Sequence, residues 1–148
     1  MSRGLRVALL LALSLAALAG CGEDEDEPRA APPTTPSAAG GVELSIRYDD
    51  GAGRRETAIL TCSATLQRAG GFLRGKAPVG ELCATARSLE QLLTTQPAED
   101  RVCTQIYGGP QTARVTGTID GTKVDRRFTR TNGCELADFE RAAALLQP

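Results

Sequence analysis

Five cysteines are the residues of this 148-residue chain with the most chemistry to offer. Cys21 closes an apolar N-terminal stretch, whereas Cys62, Cys83, Cys103 and Cys134 are spread through the remaining chain. Cysteine sulfur can attack a carbonyl, hold zinc or pair as a disulfide. The chain has no histidine, which removes Ser-His-Asp and Cys-His catalysis, His-ligated zinc and imidazole acid/base work. The four later cysteines are widely separated, with no Cys-x-x-Cys pair, which is the wrong spacing for most zinc knuckles. Two disulfides are therefore expected, and with them an oxidising compartment. Four cysteines allow three pairings. Glu99-Asp100, an adjacent acid pair, reads as a solvated turn rather than a catalytic dyad. Gly70-Gly71 and Gly108-Gly109 are isolated bend pairs and make no phosphate-binding motif. The expectation is a protein that is not an enzyme, with no catalytic residue, no metal site and no cofactor.

The first cysteine carries a different chemistry. Arg3 and Arg6 lead into an apolar run over residues 7–18, and Leu18-Ala19-Gly20-Cys21 follows. A run of about twelve residues suits a removed signal, since a spanning helix needs roughly twenty. The ending resembles the bacterial lipoprotein signal. That resemblance implies cleavage before Cys21, a diacylglycerol on its sulfur, and anchoring at the extracytoplasmic face of a membrane. Residues 1–20 are then the signal. Residues 21–41, with the acidic run 23–27 and a stretch rich in Pro, Ala, Thr and Ser, read as a lipidated, disordered tether. Residues 42–148 remain as one domain, large enough for a single core. Charges over the whole chain nearly cancel, at 17 Lys+Arg against 18 Asp+Glu, and aromatics are 3%. With no basic stripe and few stacking residues, no nucleic-acid partner is expected.

The elements that must position the four cysteines are legible in part. Val42, Leu44, Ile46 and Tyr48 alternate with Glu43, Ser45 and Arg47, which is the pattern of a half-buried strand. A turn over residues 49–53 leads to a second strand over 56–62, ending at Cys62. Residues 63–77 read as a long glycine-bearing loop. A helix then starts at Pro78 and ends near Thr95, with Val79, Leu82, Cys83, Ala86, Leu89 and Leu93 on one face. That face brings Cys83 within reach of Cys62 and favours this pair. Residues 101–109 have no periodicity. Strands over 112–119 and 123–131 flank the hairpin signal Asp120-Gly121. Arg126 falls between Val124 and Phe128, so part of that face is expected to be solvated. Leu136, Phe139, Ala143 and Leu146 suggest a short C-terminal helix. The fold class is α+β, with antiparallel strands packed against helices.

These residues in this order resemble the Streptomyces subtilisin inhibitor family. Leu60-Thr61-Cys62 ends a strand, and Cys83 lies on a helix. The Cys-x-x-x-Tyr motif is Cys103 to Tyr107. Gly117 to Gly121 forms a Gly-x-x-x-Gly hairpin, and Asn132-Gly133-Cys134 forms an Asn-x-Cys segment. The likeness covers about residues 42–138. It implies a five-stranded antiparallel sheet with two helices, disulfides Cys62–Cys83 and Cys103–Cys134, and usually a homodimer. It also implies a substrate-like reactive loop for subtilisin-like serine proteases. That loop comprises Cys103, Thr104, Gln105, Ile106 and Tyr107, with the scissile bond Gln105-Ile106 and with Asn132 supporting it from behind. Thr104 stands where the family often has proline, and Gln105 replaces the usual Met or Lys. Gly108-Gly109-Pro110 is longer than the family's turn, and residues 139–148 depart from its aromatic ending. The competing expectation is a non-inhibitory binding or structural lipoprotein on the same fold.

Overall fold

The structure is a computed structural model that describes residues 40–148. The expected signal, Cys21 and nearly all of the tether lie outside the described residues. The alternation at the start of the domain forms strand β1 (Val42–Asp49), with Val42, Leu44 and Ile46 buried and Glu43, Ser45 and Arg47 facing out. It pairs along its full length with β2 (Arg55–Cys62). Asp49 and Asp50 shape the turn between them. Asp49 Oδ1 accepts from the Gly51 N–H at 2.8 Å, and Asp50 Oδ1 accepts from the Ala52 N–H at 2.7 Å.

A third strand, β3 (Gln67–Gly71), pairs antiparallel with β2 inside the stretch expected to be loop. Gln-Arg-Ala-Gly-Gly has no β-branched residue and no apolar alternation. Only its edge position beside β2 makes it a strand, which is a tertiary preference overriding a local one. After it come β4 (Thr112–Ile119) and β5 (Thr122–Phe128). Asp120 and Gly121 connect them, both with positive φ (46° and 85°), as a two-residue hairpin turn requires. The five strands form one antiparallel sheet in the order β3-β2-β1-β4-β5.

Helices cover one face of this sheet. The expected first helix is present but bends at Leu89, giving α1 (Val79–Ser88) and α2 (Glu90–Thr94), and Pro78 sits one position earlier than expected, at the N-cap. Leu82, Cys83, Ala86, Leu89 and Leu93 are buried, as their spacing requires. The C-terminal helix is also in two parts, α3 (Gly133–Arg141) and α4 (Ala143–Leu146). Phe139, Ala142, Leu145 and Leu146 are fully buried in the same core as Phe128 and the β1 residues. The C-terminal segment that departs from the family pattern therefore closes the core. Among the described residues, no helix is long and apolar enough to cross a membrane.

The two disulfides pair Cys62 with Cys83 and Cys103 with Cys134, with Cα separations of 5.9 and 5.4 Å. The first joins the end of β2 to α1 and is buried at both ends. The second joins the irregular segment before β4 to the first turn of α3. The expected solvation beside Arg126 is not found. Arg126 is only 5% exposed, and its Nη2 donates to Asp138 Oδ2 at 3.1 Å. A buried guanidinium needs a counter-charge, and α3 brings one to it.

Candidate functional site

Residues 101–109 carry no regular structure, yet backbone bonds hold them at defined points. The Thr104 carbonyl accepts from the Gly133 N–H at 2.8 Å. The Gly108 N–H donates to the Arg130 carbonyl at 2.8 Å. Between these two pins lie Gln105, Ile106 and Tyr107, all exposed. Immediately before the first pin, Cys103 is bonded to Cys134. The result is a three-residue arch held just before and just after its summit.

The arch is apolar as well as exposed. Val102 is 97% exposed, Ile106 57% and Tyr107 64%. Among the described residues, only Ile59 and Leu66 are other large apolar side chains left in solvent. Exposed apolar side chains gathered on one loop mark an interaction surface more often than chance. Of the five expected loop residues, Thr104, Gln105, Ile106 and Tyr107 are exposed and Cys103 is half-buried. Val102 is exposed beside them, which a lone valine in an aperiodic stretch does not signal.

Asn132 has a different contact from the one expected. Its Oδ1 accepts from the Glu135 N–H at 3.0 Å and caps α3. The link from this segment to the arch runs instead through the neighbouring backbone, Gly133. A Cβ at Gly133 would lie 2.0 Å from Thr104 Oγ1, so any side chain there would force Thr104 to shift. Asn132 acts on the loop at one remove, by fixing where the helix starts. The cap was readable as Asn-x-x-Glu, a capping-box pattern.

Three further groups brace the loop. Glu135 accepts from the Thr129 and Thr131 hydroxyls, tying the chain after β5 to the first turn of α3. Chiefly the Thr129 hydroxyl, then that of Thr131, holds the Glu135 carboxyl below its ordinary pKa, since both bond the charged form. Arg130 Nη1 donates to Gln111 Oε1 at 3.1 Å and its Nη2 to Glu140 Oε1 at 2.8 Å, which steadies the residue whose carbonyl receives Gly108. Asp138 Oδ2 accepts from Arg101 Nη1 at 2.9 Å, so one carboxylate ties the loop's stem to buried Arg126. The position of Arg126 in the apolar phase of β5 was the available clue. An arginine on a buried face demands an acid nearby, but the sequence does not say which one.

No group of three or more His, Cys, Asp or Glu among the described residues is placed to hold a metal ion. What the arrangement provides is a short exposed segment, Gln105 to Tyr107, fixed by backbone bonds on either side. No protein-family model matches the chain, and no curated protein matches it.

Proposed function

We propose that this protein is an inhibitor of subtilisin-like serine proteases, akin to the Streptomyces subtilisin inhibitor family and anchored to the membrane through a lipid on Cys21. The observation that carries this reading is the arch at Gln105, Ile106 and Tyr107, exposed at its summit and pinned by Thr104 on one side and Gly108 on the other. A protease binds its substrate as an extended strand. A loop already held in place loses little conformational entropy on docking, so more of the contact energy appears as affinity. Gln105 would enter the primary specificity pocket, with Ile106 and Tyr107 on the leaving-group side. If the Gln105-Ile106 bond were cut, the Cys103–Cys134 disulfide and the two backbone bonds would hold both new ends. The released amine would stay beside the acyl-enzyme and reattack it, which keeps net hydrolysis slow.

The loop's departures from the family pattern fit this reading. Thr104 lacks proline's fixed φ, but its carbonyl is hydrogen-bonded and its hydroxyl rests against Gly133. The extra glycine after Tyr107 adds freedom, but Gly108 is tied to the Arg130 carbonyl and lies against the Leu136 side chain. Glutamine suits a broad, uncharged pocket better than a trypsin-type pocket built for a cation.

The test is inhibition of subtilisin by the purified, disulfide-intact protein beside Gln105→Pro. The expected result is tight, stoichiometric inhibition by the wild type and its loss in the variant, with slow cleavage mapped by mass spectrometry to the 105–106 bond. Digestion of the wild type at the rate of an ordinary substrate would refute inhibition of this enzyme class.

A further inference from the structure

A polar cavity of about 350 Å³ lies at the stem of the loop, between the end of α2 and α3. Three arginines line it, Arg101, Arg126 and Arg141, against a single carboxylate, that of Asp138. Both Arg101 and Arg126 already draw on the same oxygen of Asp138. Arg141, exposed in the last turn of α3, makes no ion pair among the described residues. The lining therefore carries an excess of two positive charges, from three arginines less one aspartate.

Arg126 is where this excess is felt. It is 5% exposed, and its Nε has no hydrogen-bond partner among the described residues. Burial pulls its pKa down and the charge of Arg101 adds to that. Asp138 opposes it, with a weaker contribution from Glu135. Buried donors and charges normally find partners, and a guanidinium fork matches the paired oxygens of an oxyanion. Gln91 and Thr95 bring neutral side chains to the same wall.

We infer that this cavity is a binding site for a phosphate group. A phosphate monoester carries between one and two negative charges near neutral pH, and two is the excess on the wall. Its tetrahedral oxygens can accept from several forks at once, and it would bring the second negative charge that Asp138, already shared by Arg101 and Arg126, does not supply. The site stands apart from the protease reading. It lies at the base of the loop rather than its summit, and it needs no protease for its test.

The experiment is titration calorimetry of the full-length protein in detergent with inorganic phosphate, against sodium chloride at matched ionic strength. Saturable one-to-one binding with phosphate alone is expected. Arg141→Gln should weaken it about tenfold, the size of one lost charge-assisted hydrogen bond. Arg127→Gln, on the opposite face of the sheet, should leave it unchanged. A wild type that binds phosphate no better than chloride overturns the inference, and so does an equal loss in the Arg127 variant. A parallel titration with short-chain phosphatidic acid separates the sources of the group. Tighter binding than inorganic phosphate assigns the site to a lipid headgroup, and equal binding assigns it to free phosphate.

Discussion

The two disulfides of this domain are the same bond placed in two different regions. Cys62–Cys83 lies within the core, each cysteine about 1% exposed, and joins β2 to α1. Cys103–Cys134 lies partly in solvent and joins an irregular loop to the first turn of α3. They close loops of similar length, with separations of 21 and 31 residues. On chain entropy alone each contributes between about 3 and 4 kcal/mol. What differs is what each bond holds. The buried one is packed on all sides, so its loss also opens a cavity. The exposed one constrains a segment that the core does not reach. A disulfide's role is therefore set by what else holds its two ends.

The comparison can be broken most directly by removing each bond in turn. Cys62→Ala with Cys83→Ala should cost about 5 kcal/mol in urea unfolding and leave the domain largely unfolded when warmed. Cys103→Ala with Cys134→Ala should cost about 3 kcal/mol and leave the helix content intact by circular dichroism. On the proposed inhibitor reading, the second pair, unlike the first, should leave a folded domain that a subtilisin-like protease cleaves as a substrate. Equal losses of stability and of inhibition from both pairs would erase the distinction.

Asp138→Asn comes next. It leaves Arg126 buried beside a neutral amide and frees Arg101 at the loop's stem. The expected cost is about 3 kcal/mol in chemical denaturation, with increased proteolytic nicking near residues 101–105. Gly133→Ala should cost about 1 to 2 kcal/mol, because its Cβ would meet Thr104 Oγ1. That loss should be accompanied by faster exchange of the backbone amide at position 133, the N–H that pins the Thr104 carbonyl.

The smallest effect is a pH dependence. The folded pKa of Glu135 is depressed, so its contribution is fully present above the ordinary glutamate value of about 4.3. It is lost as pH falls through the lower folded value. Stability measured from pH 7 down to pH 2 should show an acid loss that Glu135→Gln reduces. Loss of structure should appear first in the 129–135 segment that backs the loop.

Much of the scaffold was legible from period alone. The apolar alternation of β1, the three- and four-residue spacing of α1 and the Asp120-Gly121 turn each carry a local signal, and each element stands where that signal puts it. β3 was hidden because its residues have no strand pattern of their own, and the breaks at Leu89 and Ala142 leave the helical spacing almost unchanged. At the site, positions 103–107 were marked by the resemblance of Cys103 to Tyr107 to a Cys-x-x-x-Tyr motif, and the Cys103–Cys134 bond that holds them was expected from the same resemblance. The two backbone pins were not. Asn132 was assigned to the loop although its oxygen caps α3, and the actual pin, Gly133, sits beside it.

The sequence by itself determined the class of fold and the redox chemistry. Hydrophobic period is written residue by residue, and four cysteines without histidine leave little other use for sulfur. Only the tertiary structure decided which charges meet. Asp138 joins Arg101 and Arg126 across separations of 37 and 12 residues, and Thr104 meets Gly133 across the disulfide. Such contacts have no local pattern. They depend on where α3 docks against β5, and that is set by the packing of Phe139, Leu145 and Leu146 into the shared core.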